Sequence, residues 1–157
     1  MSNILVAILA VALIIWGVYR AISNGKIAKA NLVKAEQFLK TNAAKEGVMT
    51  TESGLQYQII KQGDSSQTPG PSNKVTVHYH GSLIDGSVFD SSVQRGEAIT
   101  FGLNQVIKGW SEGLQLMHVG DKYRLFIHPK LAYGARKIAA IPGNSALIFD
   151  VELIAID

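Results

Sequence analysis

Apolar residues run almost without interruption from Ile4 to Tyr19, and no charged side chain precedes Arg20. A helix crossing about 30 Å of hydrocarbon needs roughly 17–25 apolar residues. Ser2 to Tyr19, with Ala21 and Ile22 just beyond, meets the short end of that range. From Asn24-Gly25 the character changes. Lys26 to Ala44 is rich in Ala, Lys, Glu, Leu and Gln and has no Gly or Pro, which predicts a short helical stalk. Ala35, Phe38, Leu39 and Ala43 fall at helical spacing and give it one mildly apolar face, either solvated or used for docking or self-association. Gly47 is expected to cap its C-terminus. The pattern divides the chain into an anchor (1–22), a stalk (23–48) and a domain (49–157).

Beyond Thr50 the period becomes two. Leu55, Tyr57 and Ile59 alternate with Gln56 and Gln58, as in a half-buried strand. Gly63 to Ser72 is polar and rich in Ser, Pro and Gly, a loop. Lys74 to Leu83 places Val75, Val77 and Tyr79 on one face and His78 and His80 on the other, and Asp85-Gly86 signals a turn before Val88-Phe89. One helix is expected from about Val106 to Met117, capped by Asn104 and stopped at Gly120-Asp121. Ile107, Trp110, Leu114 and Met117 form its buried stripe. Lys122 to His128 and Ala146 to Ile156 complete the strands. Strands before and after a single amphipathic helix predict an α+β domain, an antiparallel sheet packed on that helix.

Charge sharpens the division. Residues 20–48 hold six basic and two acidic side chains, a net +4, whereas residues 49–157 hold nine basic and ten acidic, a net −1. The positive charge sits beside the apolar run, where anionic headgroups attract it. The domain has no basic excess that would recruit nucleic acid. No Lys or Arg precedes the apolar run and no small-x-small site follows it, so an anchor is favoured over a cleaved signal peptide. A core helix is the third reading, disfavoured because a domain this small seldom encloses a helix apolar on every face. The basic residues all follow the run, which by the positive-inside rule leaves the domain in the cytoplasm.

Common catalytic signatures are missing. There is no cysteine, no Gly-x-Ser-x-Gly elbow, no phosphate-binding glycine loop and no His-Glu-x-x-His, which weighs against hydrolytic and nucleotide-dependent chemistry. His78 and His80 share a strand face but have no evident third partner, so no metal is expected. Aromatic residues instead crowd the strand ends and turns: Tyr79, Phe89, Phe101, Trp110, Tyr133 and Phe149. Each alone reads as core, because aromatics bury large areas. Phe89, followed by Asp90 after a turn, and Tyr133, in a Gly-bounded loop after Pro129, stand where a pocket mouth could form.

Five separate motifs between Gly54 and Ile156 resemble the FKBP family and occur in its order. They are Val77-His78-Tyr79-His80-Gly81, Gly86 to Ser92, Gln105 to Trp110, Leu131-Ala132-Tyr133-Gly134, and Leu147 to Leu153. The lead-in Thr51 to Tyr57 and the helix before it resemble the bacterial Mip- and FkpA-like branch. The resemblance implies a five- or six-stranded antiparallel sheet wrapped around the Ile107 helix, with an apolar pocket between them. Carried over by motif, the pocket lining is Tyr79, Phe89, Asp90, Phe101, Val106, Ile107, Trp110, Tyr133, Ile141 and Phe149, with Trp110 as floor. The Ile107 N–H and the Tyr133 hydroxyl are the expected donors, and Asp90 supplies polarity at the edge.

The implied activity is peptidyl-prolyl cis-trans isomerisation in the service of protein folding near a membrane, without cofactor. Proline-containing polypeptides are the implied substrates and a macrolide the implied ligand. A holdase that grips such chains without turnover is the alternative. The family resemblance favours the periplasmic side of a bacterial inner membrane, against the charge rule. Two oligomeric states are open, a monomer and a dimer formed through the stalk. Ala135 to Pro142, which covers the pocket in the family, carries the adjacent cations Arg136 and Lys137, a departure that bears on substrate preference.

Overall fold

The computed structural model describes residues 2–157, with side chains described from residue 6 onward. Ser2–Asn42 forms one uninterrupted helix of 41 residues, α1. The compositional change at Asn24-Gly25 therefore leaves no mark on the backbone. With no proline and only two glycines in the whole stretch, nothing breaks the ladder. Val6–Asn42 contains an 18-residue window of mean hydropathy 2.1, none of it buried, so by length and composition this helix could cross a membrane. Gly47, with φ 77°, lies in a turn beyond the helix rather than at its cap.

Seven strands follow: β1 (Val48–Thr50), β2 (Gln56–Lys61), β3 (Lys74–Leu83), β4 (Val88–Ser91), β5 (Ile99–Gly102), β6 (Lys122–Ile127) and β7 (Leu147–Ile156). They form one sheet in the order β1-β2-β6-β7-β3-β4, with β5 also paired to β3. Every pairing is antiparallel. The count exceeds the expected five or six because short β1 adds to β2 and because β4 and β5 both pair with β3. A four-residue helix, α2 (Ser92–Arg95), follows β4, and α3 (Lys108–Leu114) crosses the inner face of the sheet.

The two-residue period fixes which side chains reach that inner face. Val75, Val77, Leu125, Ile127, Leu147, Val151 and Leu153 are fully buried there with Leu114 and Met117. Each such side chain contributes about 1.5–3 kcal/mol by leaving water. Close seating of α3 depends on two glycines one turn apart. A Cβ on Gly109 would lie 2.6 Å from Ile127 Cγ2, and one on Gly113 would lie 2.8 Å from Leu125 Cδ1.

α3 is shorter than the expected 106–117. Its first residue follows Ile107, and Asn104 sits in a separate 3-10 turn, Leu103–Gln105, rather than capping the helix. That turn is held from outside: the Leu103 N–H donates to the Asn73 carbonyl at 3.0 Å, and its carbonyl accepts from the Ser111 hydroxyl. The helix also ends early. Leu116 and Met117 continue it only through tighter bonds to the Gly113 and Leu114 carbonyls.

The C-terminal part of α1 covers the outer face of the sheet at β2 and β6, around Gln56 and Phe126. Ala28, Ala35, Leu39 and Asn42 are buried, and the Phe38 ring meets Phe126 at 6.2 Å between centroids. The apolar stalk face thus docks on the chain's own sheet. Docking is one of the uses open to that face, and here Leu39 is buried and Phe38 partly buried. Gln56, on the polar side of its strand pattern, is only 4% exposed for the same reason. Its amide donates to the Leu39 carbonyl at 2.8 Å and accepts from Asn42 at 2.9 Å.

Candidate active site

Between α3 and the inner face of the sheet lies a cavity of about 670 Å³. Tyr79, Phe89, Asp90, Phe101, Val106, Ile107, Trp110, Tyr133, Ile141 and Phe149, the ten residues singled out from the sequence, all line it. Ile99, Gln105 and Ile138 to Ala140 line it too. Trp110 projects from the first turn of α3 and its ring is a hub. It meets Tyr79 edge-on at 5.2 Å, Phe149 edge-on at 5.0 Å and Phe101 at a tilt, 5.3 Å. Phe89 stands edge-on to Phe149 at 5.4 Å. Such edge-to-face pairs place the positive ring edge on the negative ring face. They fix the walls without filling the space between them. The indole N–H of Trp110 is buried without a hydrogen-bond partner.

Gly81 lets the strands close on this cluster. A Cβ there would fall 2.7 Å from Phe149 and 2.8 Å from Phe89. A side chain at this point of β3 would push both walls into the cavity.

One edge of the pocket is polar. The Tyr79 hydroxyl donates to Asp90, and the Arg95 guanidinium donates to Asp90 and, at 3.0 Å, to the Tyr79 oxygen. Arg95 was not evident as a site residue from the sequence. α2 brings it back: Ser91 caps this helix by accepting from the Gln94 N–H, and Gly96, in the left-handed region, ends it after one turn. The legible signal was a serine-capped turn ending in a cation five residues after the pocket carboxylate. Ser92 locks the strand alongside, accepting from the Tyr79 N–H at 2.7 Å.

Burial pushes the Asp90 carboxyl up, but the hydrogen bonds from Tyr79 and Arg95 and the guanidinium charge outweigh it, and its pKa stands below the ordinary carboxylate value. Asp90 is therefore a carboxylate at neutral pH with no proton to give. The Tyr79 hydroxyl is held above its usual value by burial and by the hydrogen bond to Asp90. His78 and His80 bond to Ser92 and Ser91 at 3.0 and 2.9 Å. Among the described residues no group of three or more metal-ligating side chains gathers.

Another part of the pocket wall is a loop. Tyr133, 39% exposed, stands at the mouth after a 3-10 turn, Pro129–Leu131. Beyond it, Ile138 and Ile141 exchange backbone hydrogen bonds at 3.0 and 2.8 Å around Ala139-Ala140. Ala139 takes φ 47°, a region few non-glycine residues adopt.

An antiparallel sheet curved over one short helix, with an aromatic pocket floored by tryptophan between them, defines an FKBP-like domain. A family model described as FKBP-type peptidyl-prolyl cis-trans isomerase matches residues 65–154, and a second, described as the domain amino terminal to it, matches residues 19–59. The chain belongs to the FKBP-type peptidyl-prolyl cis-trans isomerase family. It is 55% identical over 132 residues to FkpA of Aeromonas hydrophila, covering 84% of this chain and 49% of that one. It is 44% identical over 138 residues to the outer membrane protein MIP of Legionella longbeachae, covering 87% and 59%. The crystal structure of FkpA from Escherichia coli superposes with a TM-score of 0.88 at 39% identity, covering 96% of this chain and 70% of that one. The chain thus spans about half the length of the FkpA it matches in Aeromonas.

Proposed function

We propose that this chain catalyses cis/trans isomerisation of X-Pro bonds in polypeptides close to a membrane. The observation that carries the proposal is the aromatic pocket around Trp110, with the Tyr133 hydroxyl at its mouth. Rotation about an X-Pro bond must cross about 18–20 kcal/mol because twisting abolishes amide resonance. No nucleophile is needed. The twisted amide carries less charge separation than the planar one, so an apolar site that excludes water favours it.

In this reading the proline ring lies on Trp110 between Phe89, Phe101 and Phe149. The Ile107 N–H, at the entrance to α3, and the Tyr133 hydroxyl hold the flanking carbonyls. Asp90, kept ionised by Tyr79 and Arg95, acts through its field and by holding the Tyr79 ring in place. It transfers no proton. Residues 1–22 serve as the membrane anchor, 23–48 as the stalk, and 49–157 as the catalytic unit. The apolar window in α1 and the cations that follow it support a single-pass anchor in the bacterial inner membrane. A phosphatase fusion at the C-terminus reports which side the catalytic unit occupies.

The direct test is NMR exchange spectroscopy of an Ala-Leu-Pro-Phe peptide with the full chain in lipid nanodiscs, with and without a macrolide FKBP ligand. Faster exchange that the ligand abolishes supports the proposal. A folded protein without enhancement overturns it, and binding without turnover then becomes the better account.

A further inference from the structure

The pocket loop and the membrane-proximal end of α1 are physically joined. The Asn31 amide donates to the Gly143 carbonyl at 3.0 Å, and the Asn144 amide donates to the Ala28 carbonyl at 3.1 Å. A Cβ on Gly143 would stand 3.2 Å from that of Ala28, so helix and loop touch. Farther along, Lys137 and Ala135 share a groove with Ala21, Asn24 and Lys29. The loop therefore lies against α1 at Ala28 and Asn31, in a groove that extends along the helix to Ala21.

Depth follows from helix geometry. From Arg20, the first charge after the apolar run, to Ala28 is about 12 Å at 1.5 Å per residue. The headgroup layer beyond the hydrocarbon is roughly 5–8 Å thick on each side. Lys137, alongside Ala21 to Lys29, thus falls at or just outside the headgroups. The charge there has one sign. Arg20, Lys26, Lys29 and Lys34 on α1 and Arg136 and Lys137 on the loop are all exposed. No acidic residue precedes Glu36, and none lies between Asp121 and Asp150. Asp85, which lines a neighbouring groove with Lys34, is the one carboxylate in the linings of these two grooves. Exposed Ile138 adjoins the cations.

We infer that Arg136 and Lys137 dock the pocket loop onto an anionic phospholipid surface, holding the pocket mouth at the headgroups. The inference rests on the anchor reading of α1. It fits one partner, because a lipid leaflet offers many phosphates in a plane beside an inserted helix, and the cations are arrayed around that helix. The same loop contributes Ile138 to Ile141 to the pocket wall. Chains presented at the bilayer surface therefore meet the pocket first.

The chain has no cysteine, so single introduced cysteines can carry nitroxide labels on the full chain in nanodiscs. Ile14→Cys reports the anchor and Ala135→Cys reports the loop. In discs containing phosphatidylglycerol, the Ala135 label is expected to show a several-fold drop in collision with a water-soluble nickel chelate relative to phosphatidylcholine discs. Arg136→Gln with Lys137→Gln, at exposed positions that leave the far-UV spectrum and melting unchanged, should abolish that drop. A loop label equally water-accessible in both discs, with the Ile14 label in hydrocarbon, overturns the inference and leaves the anchor standing. So does protection that survives loss of both cations. An Ile14 label in water removes the anchor reading and this inference with it.

Discussion

Arg95 pairs with Asp90 across the rim of the pocket, five residues further along the chain, and the two side chains are 48% and 44% exposed. The Asp90 carboxyl is held below its ordinary pKa in the folded state. A carboxyl depressed by folding adds stability above its unfolded pKa, about 3.9, and that stability is lost as pH falls through the folded value. Arg95→Gln should therefore flatten the acid limb of stability below about pH 4. At pH 7 it should change stability little, because water screens a half-exposed pair. Urea unfolding midpoints at pH 3 and pH 7 measure both. Identical acid limbs for wild type and variant would mean that the pair contributes nothing.

Tyr133→Phe removes one hydroxyl at the mouth and leaves the ring. If that oxygen holds a substrate carbonyl, the loss of about 0.5–1.5 kcal/mol lowers kcat/KM roughly 2- to 13-fold. Melting should barely change at this exposed position. Unaltered kcat/KM in a peptide isomerisation assay would remove Tyr133 from the site.

Gly109→Ala and Gly113→Ala make an unequal pair. Both gain helix propensity, about 1 kcal/mol. The Gly109 methyl meets Ile127 Cγ2, fixed one bond from a β-branched carbon, whereas the Gly113 methyl meets the mobile end of Leu125. Gly109→Ala is therefore expected to destabilise by about 1–3 kcal/mol through overpacking, and Gly113→Ala to be close to neutral. Chemical denaturation of the two variants decides it, and equal stabilities would show that α3 shifts freely.

Asn42→Ala takes away the partner of the buried Gln56 amide oxygen. Leaving that acceptor unmet should cost about 1–3 kcal/mol. The double variant with Gln56→Leu should recover part of the loss, because no polar group is then stranded. Thermal melts of the full chain test the coupling. Strict additivity would mean that water fills the gap.

Much of this architecture was legible in the order of residues. Alternation places Val75, Val77 and Tyr79 inward whatever surrounds them, because successive strand side chains point to opposite faces. The pocket residues were legible as a set through the motif resemblance, since they recur at fixed places in strands and turns. Three features depended on contacts between distant segments. Asn104 has the chemistry of a cap, yet Asn73 holds Leu103 and delays α3. Gln56 looks like a surface residue until α1 covers it. Arg95 is one exposed cation among fifteen basic residues until α2 turns it onto Asp90. The periodicities, the apolar helix and the aromatic inventory can be read along the chain, since these express local geometry and side-chain chemistry. The face that α1 covers and the place of the pocket loop beside α1 arise only when distant segments pack together. The first rests on Gln56 and Phe126 meeting α1, the second on hydrogen bonds spanning more than a hundred residues, between Asn31 and Gly143 and between Ala28 and Asn144, and no local pattern encodes pairings between distant segments.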